Sequence, residues 1–530
     1  MKVSGFPSPQ ESDELSVLND DIKTLHSMGY AQELARRMSG FSNFAISFSL
    51  ICILAGGITN FPNALCAGGA FSATVGFLVG GAFAFVVACC MGQIASAYPT
   101  AGGLYHWSAI LGGKGWGWAT AWLNLLALFL LIASVDVGVY QLFRDMALNG
   151  LFHVDVSGWQ AVKIGSYLSF DPYQTFAIVL IMGSQALFNH YGIRATSLLT
   201  DFSGYLIFAA TILLTGSMFY YGATHDVSRI FHFRNYTGPA GGGFFPQPRS
   251  SVVAFLVGLL YPLYTIAGYD ASANTAEETL DARRSVPRAM LHAVTWSVLF
   301  GFVMAVSFIT ALPNIESAAK NGSESWFTLF NQLPMPLILR EVLVFSLIVV
   351  NYLCANAAVT STSRMVYAFA RDGGMPLSKY WKLVNHKHRT PVPAIWLTVA
   401  LSLGATLYTP AFAALSAGCA VFLYISYAMP IGAGLLAEGK SWREFGPFRL
   451  GRMSKPLAGI TVAGVLVLAY AGMQPPSEEI ISYAVAIVVV LAVAWFAIER
   501  KRFPGPPLEN SRNLEELSKI EKEFASAAGN

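Results

Sequence analysis

From residue 43 to residue 497 the chain is a succession of apolar runs separated by short polar or basic turns. Each run approaches the ~20 residues that a helix needs to cross a bilayer. About twelve stand out: 43–66, 72–96, 116–142, 174–190, 196–220, 252–275, 290–311, 342–368, 392–408, 411–434, 456–473 and 478–497. The runs are continuously apolar and do not alternate with a period of two, which predicts spanning helices rather than barrel strands. Residues 1–41 are polar with charges of both signs and contain no apolar core of the kind a cleavable signal needs. They read as a poorly ordered tail, within which Leu25 to Arg37 suggests a short amphipathic helix near the membrane surface. The charged stretch from Glu499 onward reads as a second tail.

The basic residues orient these spans. With both termini in the cytosol, 25 of the 33 Lys and Arg residues fall on the inner side, seven fall outside and Arg364 lies within the eighth span. The expectation is a multi-pass protein of the plasma (cell inner) membrane with cytosolic termini. Composition agrees: 54% of residues are hydrophobic and 12% charged, against ~25% charged in soluble domains. That balance excludes a disordered chain and a soluble multidomain protein. A net charge of +3 excludes a nucleic-acid binder that acts by bulk charge. The six cysteines lie in apolar runs without a CxxC, His106 and His190 are isolated, and no GxxxxGK[ST] is present. No metal, cofactor or ATP-driven pump is expected. No nucleophile and base stand at a useful spacing, so an enzyme is not expected either.

Two spans carry helix-breaking composition at matching places. The first contains Gly56-Gly57-Ile58-Thr59-Asn60-Phe61-Pro62, and the sixth contains Ala267-Gly268-Tyr269-Asp270. Paired glycines and a proline make poor helix. In hydrocarbon an interruption survives only where its freed backbone meets a cavity or ligand. Residues 55–60 and 266–270 are therefore expected to be non-helical and to face one site. Spans one and six are five apart, as two inverted five-helix repeats would place them. The implied division is a tail at 1–41, a first repeat at 42–221, an outer loop at 222–250, a second repeat at 251–435, a cytosolic loop with two further helices at 436–498, and a tail at 499–530.

Several segments resemble the amino acid/choline transporter family of the amino acid–polyamine–organocation superfamily, which includes GABA permeases and plant bidirectional amino acid transporters. They are Phe41 to Ser49, Ala95 to Trp107, Gly268 to Ala273, Ala276-Glu277-Glu278-Thr279, Ser363 to Gly373, and Gly446-Pro447-Phe448 with Leu450-Gly451. The resemblance implies an all-α leucine-transporter type fold with two inverted five-helix repeats plus two helices, and alternating access to a central site. It implies a secondary active transporter of amino acids or a close relative such as GABA, with a proton or sodium as possible coupling ion. A choline or polyamine permease on the same fold and a membrane nutrient receptor without transport are the alternatives. By the same resemblance the substrate carboxylate meets backbone at Gly56, Gly57, Ile58 and Thr59. Its amine meets carbonyls between Ile266 and Tyr269, and Tyr264 closes over it.

Other positions stand out on their own chemistry. Asp270 is an intramembrane carboxylate, suited either to substrate contact or to capping the half-helix after it. Asp136, in the outer half of the third span, is a candidate for the substrate amine or a coupling proton. Glu277 and Glu278 precede Arg283, Arg284 and Arg288 and read as an inner gate or an ion network with them. Thr360 and Ser361 open a hydroxyl run suited to a coupling ion or to bonding within the helix. The chain departs from many relatives in having Gln93 where they have Glu and Asn274 where they have His, and span five contains no Lys, which proton-coupled members of the wider superfamily can carry there.

Overall fold

The computed structural model describes residues 9–528 apart from 52, 157, 160–161, 165–167, 386, 409–411, 475–478 and 508–513. The expectations for the ends of the two tails and for residues 508–513 lie outside the described residues.

A helix stands at every place where the apolar pattern asks for one. After α1 (Pro9–Ser27), the first run forms α2 (Gly40–Ile51) and α3 (Ile53–Thr59) and continues into α4 (Phe61–Ala97). The turn expected between the first two runs lies inside α4, where Gly68 and Gly69 leave helical geometry and Gly69 takes φ 65°. After α5 (Gly103–Gly112), α6 (Lys114–Gln141) passes into a π-helical stretch, Leu142–Leu151. A short antiparallel hairpin, β1 (Val162–Ile164) and β2 (Leu168–Phe170), leads to α7 (Pro172–His190) and α8 (Ile193–Tyr221). The sixth run is divided into α9 (Ser251–Gly258), α10 (Leu260–Thr265) and α11 (Ala271–Asn274). Then come α12 (Ala282–Ala311), α13 (Ile315–Lys320), α14 (Ser325–Gln332), α15 (Leu337–Arg371) and α16 (Ser378–Trp381). The chain closes with α17 (Val392–Tyr408), α18 (Phe412–Ala437), α19 (Ser454–Gly472), α20 (Glu479–Ala494), α21 (Arg500–Arg502) and α22 (Leu514–Ala528).

Among the described residues, eight helical stretches are long and apolar enough to cross a membrane, and Ser251–Thr265 and Val392–Leu407 are shorter apolar ones. Large apolar side chains such as Ile212, Val252, Ile338 and Leu466 are left exposed on these helices. Surface of that kind is stable only against lipid. The protein is an all-α, integral, multi-pass membrane protein.

Local chemistry explains where elements begin. Asp171 accepts hydrogen bonds from the Tyr173 and Gln174 amides, and Pro172 starts α7 without needing its missing N–H. In α12, Pro287 cannot bond the Arg283 carbonyl one turn back; the Ser96 hydroxyl donates to that carbonyl instead, at 2.8 Å. This bond ties the end of α4 to the start of α12. Gln93, one turn earlier, donates to Ser454 at 2.9 Å and accepts from the Leu450 amide at 2.7 Å. The amide thus fastens the loop before α19 to α4 with both of its polar ends, which a carboxylate has no N–H to do.

The N-terminal segment departs from the expected tail. Helix occupies Pro9–Ser27, whereas the expected amphipathic helix over Leu25 to Arg37 is absent, because residues 30–38 run across the protein in non-helical form. Leu25, Tyr30, Leu34 and Met38 are buried there.

Candidate functional site

The backbone leaves helical geometry between Ile266 and Asp270, as expected. Gly268 has φ 102°, a conformation that side chains rarely tolerate, and a Cβ at this point would run into Leu50. The opened backbone is satisfied by side chains from other helices. Ser47 of α2 donates to the Tyr269 carbonyl at 2.9 Å, and the Gly268 amide donates to the Tyr427 hydroxyl at 3.1 Å. Tyr427 in turn donates to Asp270 at 2.6 Å. Asn274 donates both to Asp270, at 3.3 Å, and to Ser361, at 3.1 Å. Asp270 therefore binds α18 to the interruption, Asn274 links it onward to α15, and Asp270 makes no side-chain cap to α11. All these groups are buried.

The first helix differs from expectation. Residues 55–59 are helical, and only Asn60 leaves the helix, with φ −101° and ψ 1°. The reason is packing. A Cβ at Gly56 would lie 2.8 Å from the Thr265 Cα, so the missing side chain lets α3 and α10 touch backbone to backbone. Tyr261 donates to the Gly57 carbonyl at 3.1 Å, and Met304 closes the other side of Gly57. Ile58 is buried, and the Thr59 hydroxyl bonds the Ala55 carbonyl one turn back. The glycine pair allows close approach here and does not unwind the helix.

Tyr264 shares a hydrogen bond of 2.8 Å with Ser134 of α6. Asp136 lies two residues further along that helix and points elsewhere, accepting from Gln185 of α7 at 2.9 Å. Arg364 is committed to Glu278, so it does not pair with Asp136. Thr360 and Ser361 are turned apart: Thr360 donates to Asn189 of α7 at 2.7 Å and to its own helix at the Asn356 carbonyl, while Ser361 receives Asn274.

The two glutamates after α11 find different partners from those expected. Glu277 receives two hydrogen bonds from Arg371, at 3.0 and 2.9 Å, and Glu278 receives two from Arg364, at 3.0 and 3.2 Å. Both carboxylates are fully buried. Arg283 bonds the Ser96 carbonyl, Arg284 approaches Asp281, and Arg288 is exposed. Nearness in sequence misled because the chain turns at Asp281 and carries α12 away from the carboxylates.

The N-terminal segment seals this network. The Arg37 and Met38 amides donate to the Glu278 carbonyl, and the Leu280 amide donates to the Met38 carbonyl, forming a one-rung parallel bridge. Gln32 donates to the Glu277 carbonyl at 2.9 Å, and Arg36 donates to the Ala276 and Thr279 carbonyls. Asp21 accepts from the Asp281 and Ala282 amides, capping α12 from a distance of 260 residues in sequence. The face of Tyr30 lies 3.9 Å from the Arg371 guanidinium carbon, and its hydroxyl, with that of Tyr105, donates to Asp372. Burial first, then the charge of Asp372, push the Tyr30 phenol well above its ordinary range, which keeps it a donor. Tyr30, Gln32, Arg36 and Asp21 were not singled out in the sequence, since the stretch reads as a polar tail with a surface helix and nothing local points to partners about 250 to 350 residues away.

The model of the amino acid permease family matches residues 38–495. The chain belongs to the amino acid permease family. It is 32% identical to the amino-acid permease BAT1 of Arabidopsis thaliana, over 92% of this chain and 97% of that one. It is 33% identical to the BAT1 homolog of Oryza sativa subsp. japonica, over 91% and 94%. It is 26% identical to the GABA-specific permease of Saccharomyces cerevisiae, over 93% and 86%. Like the rest of this permease family it is a transporter rather than an enzyme: a secondary transporter that moves amino acids or related small molecules across a membrane. The residues matched by the family model take in the interruption, both buried ion pairs and Asp136.

Proposed function

We propose that this permease moves amino acids, or a close relative such as GABA, across the plasma membrane by alternating access, with both termini in the cytosol and about twelve spans arranged as two inverted five-helix repeats and two further helices. The observation that carries this reading is the buried, unwound stretch from Ile266 to Asp270, held open by side chains of three other helices. Unwound backbone at membrane depth persists where it serves a site. The substrate amine meets carbonyls at Ile266 and Ala267, with Tyr269 and Asp270 shaping the same wall. The carboxylate is received beside Gly56 to Thr59, where the absence of side chains on the glycine pair brings the backbone close to the site. Tyr264 covers the bound molecule.

In this conformation the inner side is closed by Glu277 with Arg371 and Glu278 with Arg364, and releasing substrate inward requires these pairs to part. Uptake of labelled alanine, glutamate and GABA into proteoliposomes tests the reading. Saturable uptake of at least one, competed by other amino acids and not by choline, is expected. Competition by choline with no response to amino acids would overturn it in favour of a choline permease, and binding without flux in favour of a receptor.

A further inference from the structure

Asp136 is fully buried, and one of its two carboxylate oxygens has no hydrogen-bond partner. Its other oxygen accepts from the neutral side-chain amide of Gln185, whose own side-chain oxygen is also without a hydrogen-bond partner. The charged and titratable surroundings are sparse. From α15 the facing titratable group is the Tyr352 phenol, already joined to Ser184 at 2.6 Å. The segment Val392–Leu407 of α17 contains no ionisable side chain. On α6 the Tyr140 phenol lies one turn away, and in the π-helical stretch beyond it Arg144 and Asp145, about two turns away, pair with each other at 2.7 Å. An ionised carboxylate in such a place, without a cation among the described residues, is costly. A sodium ion requires several oxygen ligands, and Asp136 with Gln185 supplies too few. A proton requires one.

The carboxyl is also connected. Asn189, one turn along α7, donates to the Gln185 carbonyl at 3.0 Å and to Asn356 at 3.1 Å, and receives Thr360 at 2.7 Å. The next residue, Ser361, receives Asn274, which bonds Asp270 at the interruption. Polar contacts on α7 and α15, connected through the backbone of Gln185 and of Thr360-Ser361, thus lie between Asp136 and the unwound segment and bypass Tyr264.

We propose that Asp136 is the proton-carrying group of the transport cycle, a coupling site separate from the substrate site, protonated in the conformation described here and able to release its proton when α6 and α7 part. This deepens the transport reading and rests on it. It also replaces the expectation that Asp136 meets the substrate amine. Asp136 acts on the substrate through other residues and is a positioning and coupling residue.

The test uses the full chain in proteoliposomes, with labelled alanine, glutamate and GABA as probes. In wild type an inward proton gradient is expected to drive accumulation that a protonophore collapses. Asp136→Asn is expected to lose at least tenfold of that accumulation while counterflow at equal pH stays within twofold. Gln185→Met, which keeps the carboxyl, is expected to shift the pH of half-maximal accumulation by about one unit. In detergent, the wild-type melting temperature is expected to vary with pH between 5 and 9 more steeply than that of Asp136→Asn, a readout independent of transport. Gradient-driven accumulation that survives in Asp136→Asn, or a wild type driven only by sodium, overturns the proposal while leaving the transport reading intact. Absence of counterflow in wild type overturns the transport reading, and the melting comparison then decides whether Asp136 exchanges a proton: equal slopes reject it. Should Asp136→Asn fail to fold, an unchanged pH profile in Gln185→Met rejects the proposal by itself.

Discussion

Arg371 reaches both oxygens of Glu277, at 3.0 and 2.9 Å, from the far end of α15, while the Ala101 amide donates to the same carboxylate at 3.0 Å. The pair thus clamps three parts of the protein: the interrupted sixth helix, α15 and the loop before α5. Removing one partner of a buried pair leaves the other charge uncompensated, which costs about 3–5 kcal/mol. Arg371→Ala is expected to lower the melting temperature and to reduce uptake at least tenfold. The double variant Glu277→Gln with Arg371→Gln is expected to recover part of the stability, because no charge is stranded. Independent, additive effects in a double-mutant cycle would contradict the clamp.

The two glycines of the first helix are expected to behave differently. A Cβ at Gly56 meets the Thr265 backbone at 2.8 Å, and backbone cannot swing aside. At Gly57 the obstruction is the terminal methyl of Met304, which can. Gly56→Ala should abolish uptake, Gly57→Ala should retain a measurable fraction, and Gly57→Val should abolish uptake with expression mostly kept. Surface expression and initial rates, measured together, check the order.

Tyr427 serves Gly268 and Asp270 at once, accepting from one and donating to the other. Tyr427→Phe strands a buried amide and a buried carboxylate oxygen, at about 1–3 kcal/mol for each unsatisfied group. A rise in KM of at least tenfold is expected, since the unwound stretch loses its support. Kinetics within twofold of wild type would remove Tyr427 from the site.

Arg36 and Arg389 hold the N-terminal segment, Arg36 by the carbonyls after α11 and Arg389 by the carbonyls of Gln32 and Glu33. Arg36→Ala with Arg389→Ala is expected to expose residues 28–38 to limited proteolysis of the detergent-solubilised protein at least fivefold faster than in wild type. An unchanged cleavage rate would mean that the segment is held by its apolar residues alone.

The helices were legible because each lies in a continuous apolar run, and burial in lipid leaves little other choice of structure. The interruption at 266–270 was legible because Gly268 and Asp270 together are poor helix in an apolar context. The first helix was misread because a glycine pair serves unwinding and close packing equally well, and only the neighbour at Thr265 decides between them. The partners of Glu277 and Glu278 lie roughly ninety residues away on α15, and no local pattern points there. The docking of the N-terminal segment was invisible for a further reason: much of it runs through backbone amides and carbonyls, which every sequence possesses.

That docking bears on how tightly the permease holds its substrate. Residues 30–38 lead into α2, and Arg37 and Met38 bind Glu278 and Leu280 through backbone, so a tilt of α2 is expected to require peeling this segment away. The free energy of that peeling enters the balance between outward-facing and inward-facing populations, and measured affinity scales with the population competent to bind. A change confined to those residues is therefore expected to move the apparent affinities measured from the two sides of the membrane in opposite directions.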